Sequence, residues 1–156
     1  SIRFKESDVR SVGRTAIGVR GIRLADKDKV VSLIVAESDD PILTATEKGY
    51  GKRTQLDEYR AQARGGSGVI SIKTSDRNGQ VVGAIQVTDE DEMMLISDKG
   101  TLVRARAADV SIIGRNTQGV TLINIADDEA LVSVAKIAET DDDEEGTEEV
   151  EVKSEE

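Results

Sequence analysis

Three short segments combine arginine with glycine in a way that suits binding to phosphate groups. They span residues 14–18, 64–68 and 115–119, each beginning with Arg, ending with Gly and followed by Val. Glycine lets a backbone approach a ligand closely, and arginine offers a rigid fork of permanently charged donors. Equally, these segments would serve as turns in which glycine supplies a positive φ and arginine pairs structurally. The candidate binding residues here are Arg14, Arg64, Gly65, Gly66, Gly68 and Arg115.

Two further groups of basic residues extend the candidate set. The first flanks a predicted hairpin and the strand that follows it, where it would add a second basic stripe or protect an edge strand from aggregation. Its members are Lys48, Lys52, Arg53, Lys99, Arg104 and Arg106. The second comprises Arg20, Arg23 and Lys73, on the solvated face of a predicted outer strand, of which Lys73 joins the candidates.

Enzymatic chemistry has little support in this sequence. The chain has no Cys and no His, which excludes disulfides, thiol nucleophiles, His bases and the common zinc sites. The carboxylates at 89–92 lack the spacing of a calcium loop, and no phosphate-binding G-x-x-x-x-G-K-[ST] motif occurs. We therefore expect no catalytic residue, metal site or cofactor in this chain.

The charge of the chain is concentrated at one end. The formal net charge is −10, and residues 139–156 hold eleven of the 31 acidic side chains but one of the 21 basic ones. Such a block repels itself and buries too little apolar surface to fold, so we predict a domain at 1–138 and a disordered acidic tail at 139–156. The apolar runs are far shorter than the ~20 residues of a membrane span. We expect a cytoplasmic piece of a longer polypeptide.

Internal repetition is the strongest pattern in the sequence. The three Arg-Gly segments recur at offsets of 50 and 51, and Arg3, Arg53 and Arg104 each lie eleven residues before one of them. An apolar run containing valine follows each glycine by thirteen residues. Repeats of this length with several short strands are typical of propeller blades.

Each repeat reads as β structure. Partial alternation predicts outer strands at 17–24 and 68–73, and β-branched runs predict inner strands at 30–36, 81–87 and 131–137. Third and fourth strands follow at 42–46 with 51–54 and at 93–97 with 101–106. Asn78-Gly79 predicts a tight hairpin between the first two strands of the middle repeat. The segments 57–63 and 107–112 are predicted to cross between blades.

The sequence thus predicts an all-β fold of four-stranded, propeller-type blades in a partial ring. Two full repeats with a partial unit at each end fall short of the ~4 blades that a closed propeller needs. We expect an open arc with an exposed strand edge.

The order of these markers resembles the C-terminal repeats of the DNA gyrase A subunit. The matching stretches are residues 30–34, 49–53, 100–104 and 114–119, and the resemblance spans about residues 2–138. It implies the last three blades of a six-bladed β-pinwheel whose rim wraps DNA, followed by an acidic tail. The family's Q-R-R-G-G-K-G box lies in the first blade. Residues 62–68, Gln-Ala-Arg-Gly-Gly-Ser-Gly, keep its glutamine, one arginine and its glycines as a degenerate counterpart.

The resemblance also implies partners and an activity of the whole protein. The partners would be double-stranded DNA, the B subunit of an A2B2 gyrase and the rest of the A subunit, with ATP and Mg²⁺ used elsewhere in the holoenzyme. This chain would bind DNA without sequence preference and support negative supercoiling, with its tail competing for the rim. Two alternatives remain open: the C-terminal domain of the topoisomerase IV A subunit, and a propeller that docks protein partners.

Overall fold

The protein is an assembly of short antiparallel strands joined by irregular segments. A computed structural model describes residues 1–137. The predicted disorder at 139–156, and the last residue of the predicted domain, lie outside the described residues. The strands are β1 (Ile42–Thr46), β2 (Tyr50–Thr54), β3 (Val81–Gln86), β4 (Glu92–Ser97), β5 (Leu102–Arg106), β6 (Val120–Thr121) and β7 (Leu131–Lys136). Single 3₁₀ turns lie at Glu6–Asp8, Leu56–Glu58 and Ala107–Asp109.

Two hairpins form close to their predicted bounds. β1 pairs with β2, with Leu43 opposite Arg53, and β4 pairs with β5, with Leu95 opposite Val103. The predicted crossings between blades coincide with the 3₁₀ turns that follow β2 and β5. The predictions for the hairpins and for the strands β3 and β7 are therefore confirmed.

The sheets are completed by strands from later repeats. β3 pairs with β1, and β6 pairs with β2, which gives one sheet in the order β3-β1-β2-β6. In the second sheet β7 pairs with β4 in the same way, in the order β5-β4-β7. The predicted all-β class is confirmed, and one of the two sheets has the predicted four strands. When each repeat is counted from its predicted outer strand, those four strands come from three successive repeats instead of one.

The predicted hairpin at Asn78-Gly79 is wrong. Residues 68–73 form no strand, and β3 lies against β1. Asn78 is fully buried, and its side-chain amide donates to the carbonyl oxygens of Lys73 and Gln118, each at 3.0 Å. The turn is thus held by a loop of the next repeat, which a local turn rule does not reveal.

The predicted strands at 17–24 and 30–36 are also absent. β3 and β7 each lie against the hairpin of the preceding repeat, and residues 30–36 have no such hairpin among the described residues. Without that partner Leu33 is 88% exposed and Val35 71% exposed. Ile17, in the corresponding outer position, is wholly exposed.

The core lies between the two sheets. It is formed by aliphatic side chains of β1, β4 and β7, including Leu43, Met93, Leu95 and Leu131, all fully buried. A smaller cluster surrounds Tyr59, whose hydroxyl lies 2.9 Å from the Ser71 hydroxyl. Within the described part of the chain, no helix has the length and apolar character needed to cross a membrane.

Glycine makes the contact between β2 and β6 possible. Gly119 has a φ of +84°, and a Cβ there would lie 2.6 Å from the Gly51 carbonyl oxygen. Gly68 packs against the Ser1 carbonyl in the equivalent way. Gly18 has the same backbone conformation, φ +85°, but a Cβ there would meet nothing within 4 Å.

These glycines form a matched pair for a stability test. Gly18→Ala should cost about 1–2 kcal/mol, the strain of a left-handed alanine. Gly119→Ala should cost about 1–3 kcal/mol more, because its methyl group collides with the β2 backbone. Urea unfolding of the two variants measures the difference, and equal losses would contradict this account of the β2–β6 contact.

Candidate nucleic-acid interface

The Arg-Gly loops of successive repeats are linked by their arginines. The Arg115 guanidinium donates to the Ile70 carbonyl oxygen at 2.8 Å, and Arg64 donates to the Arg20 carbonyl oxygen. Arg20 and Ile70 hold the same place in their repeats, two residues after the loop glycine. The repeated bond fixes each arginine against the segment that follows the previous loop.

Backbone bonds reinforce this stacking. The Arg23 amide donates to the Gly66 carbonyl at 2.8 Å, and the Lys73 amide donates to the Thr117 carbonyl at 2.9 Å. These bonds place Arg23 beside the 64–68 loop and Lys73 beside the 115–119 loop. We call Arg20, Arg23, Arg64, Lys73 and Arg115 the loop cluster.

The loop cluster carries positive charge that is not paired directly with carboxylates. Among residues 1–137, no ion pair involves a member of the loop cluster or Arg14, which is exposed. One carboxylate lies close by, since Glu58 accepts a hydrogen bond from the Arg115 backbone amide at 3.1 Å. The guanidinium and ammonium groups of the loop cluster themselves form no ion pair in this part of the chain.

Three of the hairpin residues predicted as a second basic stripe form ion pairs. Lys99 pairs with Asp128, Arg104 pairs with Glu92, and Arg106 pairs with Asp109. This local pairing lowers the net positive charge of their surface, so we rank these three below the Arg-Gly loops. Lys48 donates to the Asp76 backbone carbonyl and has no ion pair within residues 1–137, so it stays a candidate.

Arg53 lies inside the protein, which is at odds with its predicted place on a binding surface. It is 4% exposed, and its guanidinium donates to the Val110 carbonyl at 2.8 Å and pairs with Asp89. Arg3, its counterpart one repeat earlier, donates to the Leu56 carbonyl at 3.0 Å. Arg3 thus holds the 3₁₀ turn that follows β2, and Arg53 holds the equivalent turn that follows β5.

Lys52 is also buried, with no exposed surface. Its ammonium donates to the carbonyl oxygens of Gly114 at 2.6 Å and Arg115 at 2.5 Å, and to the Thr117 hydroxyl at 3.1 Å. Burial lowers the pKa of Lys52 to about 8, the Glu58 carboxylate opposes this shift, and the Arg115 charge adds to it. Lys52 therefore holds the 115–119 loop from the protein interior, and its predicted role as a direct contact to a ligand at the surface is wrong.

The predicted loop glycines contribute packing between repeats. The Gly65 amide donates to the Gly21 carbonyl at 2.7 Å, Gly66 accepts from Arg23, and Gly68 contacts Ser1. Sequence reasoning missed Thr117 and Glu58, which position the 115–119 loop. The sequence offers an indirect signal. In the repeat register Lys52 aligns with the apolar residues Ile2 and Val103, and a charge at an apolar position requires polar partners such as Thr117.

The equivalent arginines of β2 and β5 should differ sharply in their effect on stability. Arg53→Met should lower the free energy of unfolding by about 2–4 kcal/mol, because it leaves buried carbonyls without donors. Arg104→Met should change it by less than about 1 kcal/mol, since Arg104 forms a surface ion pair. Thermal and urea unfolding compare the two, and a similar loss in both would argue against the structural role of Arg53.

Three repeats of this chain match a known family model. The model, described as the DNA gyrase C-terminal domain, beta-propeller, covers residues 1–37, 40–88 and 91–138. Each segment contains one Arg-Gly loop and the arginine eleven residues before it. The second and third segments begin at the hairpins β1–β2 and β4–β5, whereas the repeats counted above begin at the predicted outer strands.

Similar proteins carry the name of the DNA gyrase A subunit. The chain is 61% identical over 144 residues to the one from Klebsiella oxytoca and 58% identical over 143 residues to the one from Escherichia coli K12. Each alignment covers 92% of this chain and 16% of the relative. The chain thus spans about a sixth of their length.

Solved structures show the same architecture. A DNA gyrase A C-terminal domain aligns with a TM-score of 0.81 at 33% identity, over 86% of this chain and 46% of that one. A DNA topoisomerase IV C-terminal domain aligns with a TM-score of 0.79 at 27% identity, over 86% of this chain and 42% of that one. The family model, the sequence identities and the similarity of fold agree, and the chain belongs to the family of DNA gyrase A C-terminal domains.

Proposed function

We propose that this chain binds duplex DNA through the loop cluster without reading its sequence. The observation that supports this is the segregation of charge. Lys99, Arg104 and Arg106 of the β4–β5 hairpin are paired with carboxylates, whereas the basic residues of the stacked loops have no ion-pair partner among the described residues. A surface of this kind neutralises phosphates and releases counterions.

The chemistry of the loop cluster suits backbone contacts. Arg115 uses one guanidinium nitrogen to bind a protein carbonyl, that of Ile70. Arg64 uses two, with Nε bound to the Asp8 carbonyl at 3.2 Å and Nη1 bound to the Arg20 carbonyl. Each guanidinium has further N–H donors for a phosphate. Loops that follow one another from repeat to repeat would bind successive positions along a duplex. Phosphate contacts position a protein on DNA but carry no sequence information.

In the whole protein we propose that these repeats wrap DNA. Wrapping would present a DNA segment to a type II topoisomerase whose ATP-driven strand passage introduces negative supercoils in the bacterial cytoplasm. Its partners would be the B subunit, together with the remainder of the A subunit, with ATP and Mg²⁺ bound there. The names of the relatives support this proposal, and gyrase is favoured over topoisomerase IV by the higher identity of the gyrase relatives.

The degenerate box supports a role for the second loop. Its arginine, Arg64, belongs to the loop cluster. The backbone amide of Gln62 donates to the Arg3 carbonyl at 2.9 Å. The box residues thus join two repeats and place one cation at the surface. A protein-docking propeller is the alternative, which the neutral, ion-paired hairpin surface would suit.

Charge-matched variants test the DNA-binding proposal. Arg64→Ala with Lys73→Ala should weaken DNA affinity on the order of tenfold and reduce the salt slope by about two, because two phosphate contacts are lost. Lys99→Ala with Arg104→Ala changes the net charge equally but should alter affinity by less than about twofold, since both residues are already paired. Fluorescence anisotropy across a salt series measures both.

Equal losses in the two variants would mean that overall charge, not the loop cluster, controls binding. If the unaltered chain fails to bind at low salt, the docking alternative is favoured and the DNA proposal fails.

We also propose that residues 139–156 compete with DNA for the loop cluster. Their eleven acidic side chains against one lysine make a polyanion tethered to the same chain. Tethering gives such a segment a high effective concentration near the basic loops.

Removing residues 139–156 should strengthen DNA affinity, most at low salt, where charge interactions are least screened. The measurement is the ratio of dissociation constants of the two chains across a salt series. A control chain with the same length, in which the acids of 139–156 become Asn or Gln, should match the truncation. Equal dissociation constants for the full and the truncated chain at low salt would contradict the proposal.

A further inference from the structure

A buried lysine lies directly beneath one of the proposed DNA-contacting arginines. Lys52 is in the middle of β2, opposite Thr44, and has no exposed surface. Its three ammonium protons face three acceptors of one short turn, the carbonyls of Gly114 and Arg115 and the Thr117 hydroxyl. The Thr117 hydroxyl donates in turn to the Gly114 carbonyl at 2.8 Å.

Pairing with β2 fixes both ends of this turn, and on its outer side the Lys73 amide donates to the Thr117 carbonyl at 2.9 Å. Before it, the Ile113 amide donates to the Arg53 carbonyl at 2.9 Å, and after it β6 pairs with β2. Residues 114–118 bridge these two attachments. The Lys52 ammonium is the group that ties the middle of the bridge to the sheet.

The fold itself does not require a lysine at this position. In the repeat register Lys52 corresponds to Ile2 and Val103, both apolar. Taking an ammonium out of water is costly unless its donors are satisfied, and here desolvation lowers its pKa. An apolar residue would fill the sheet without that cost, so the charge has a purpose beyond packing the strand.

The group that the turn presents is Arg115. Its amide binds Glu58, one nitrogen of its guanidinium binds Ile70, and its buried Nε has no partner in the described contacts. Its carbonyl oxygen is held by Lys52. We propose that Lys52 is a positioning residue, whose ammonium fixes the 114–118 turn so that the Arg115 guanidinium meets a DNA phosphate.

This inference rests on the proposed DNA binding and is tested by coupling between substitutions in the full chain. Arg115→Ala should weaken affinity for a short linear duplex about three- to tenfold and lower the salt slope by about one. Lys52→Ile, which copies the residue of the first repeat, should cause much of the same loss. The double variant should bind within about twofold of Arg115→Ala alone.

Arg64→Ala is the matched control for Arg115→Ala. The register position that Lys52 occupies beneath the 115–119 loop is occupied by Ile2 for the 64–68 loop, so Arg64 has no such lysine. Lys52→Ile should multiply the loss caused by Arg64→Ala, whereas it adds nothing to Arg115→Ala. A purely structural lysine would give the same factor on both backgrounds. Exchange of the Lys73 amide, which donates to Thr117, should also become faster in Lys52→Ile by at least about threefold.

The outcomes separate the two proposals. If neither Arg64→Ala nor Arg115→Ala changes affinity or slope, DNA binding through the loop cluster fails. If Arg115→Ala weakens binding but Lys52→Ile does not, or their losses multiply, the positioning role alone is overturned.

A second variant keeps the test decisive if Lys52→Ile does not fold. Thr117→Val removes one acceptor of the ammonium and introduces no buried charge. It should weaken binding about twofold in the unaltered chain and leave Arg115→Ala unaffected. An equal factor on both backgrounds, or no change in either, overturns the proposal.

Discussion

Strand exchange between repeats is the constraint on which the rest of this structure depends. β1 is paired on one side by β2 of its own repeat and on the other by β3 of the next, and β6 from the repeat after that closes the sheet. No repeat can satisfy its backbone donors and acceptors alone. Each loop is therefore located by the repeats around it, which is why loops far apart in sequence stack in a fixed order.

The cations that bond to the protein interior, two of them buried and Arg3 half-buried, follow from that constraint. Arg3, Arg53 and Lys52 each donate to backbone carbonyls of the segment that arrives from the next repeat. Such carbonyls lie at the ends of turns and have no strand to pair with. A long cationic side chain satisfies several of them at once, and the charge-assisted bonds offset the cost of its burial. Basic residues in this chain thus divide into internal fasteners and surface groups.

The sequence predicts the local elements well and the long-range ones poorly. The hairpins and the runs at β3 and β7 are encoded by apolar patterning and short turns, so they are recovered with nearly correct bounds. The Asn78-Gly79 prediction fails because the Asn78 side-chain amide binds Gln118 of another repeat. The strand predicted at 30–36 fails because no hairpin among the described residues pairs with it. Lys52 and Arg53 mislead because residue type alone does not distinguish an exposed cation from a buried one.

The bonds from Arg64 and Arg115 to the preceding repeat determine the spacing of the cationic groups on the surface. Arg64 and Arg115 are held by carbonyls at equivalent register positions, so their separation follows the repeat of the backbone and not the reach of a flexible side chain. The side chains lose their rotational freedom when the protein folds, which leaves less to lose on association. Because the spacing of these arginines is fixed, a bound polyanion would have to bend in order to align its phosphates with them, and the cost of that deformation would fall on the polyanion.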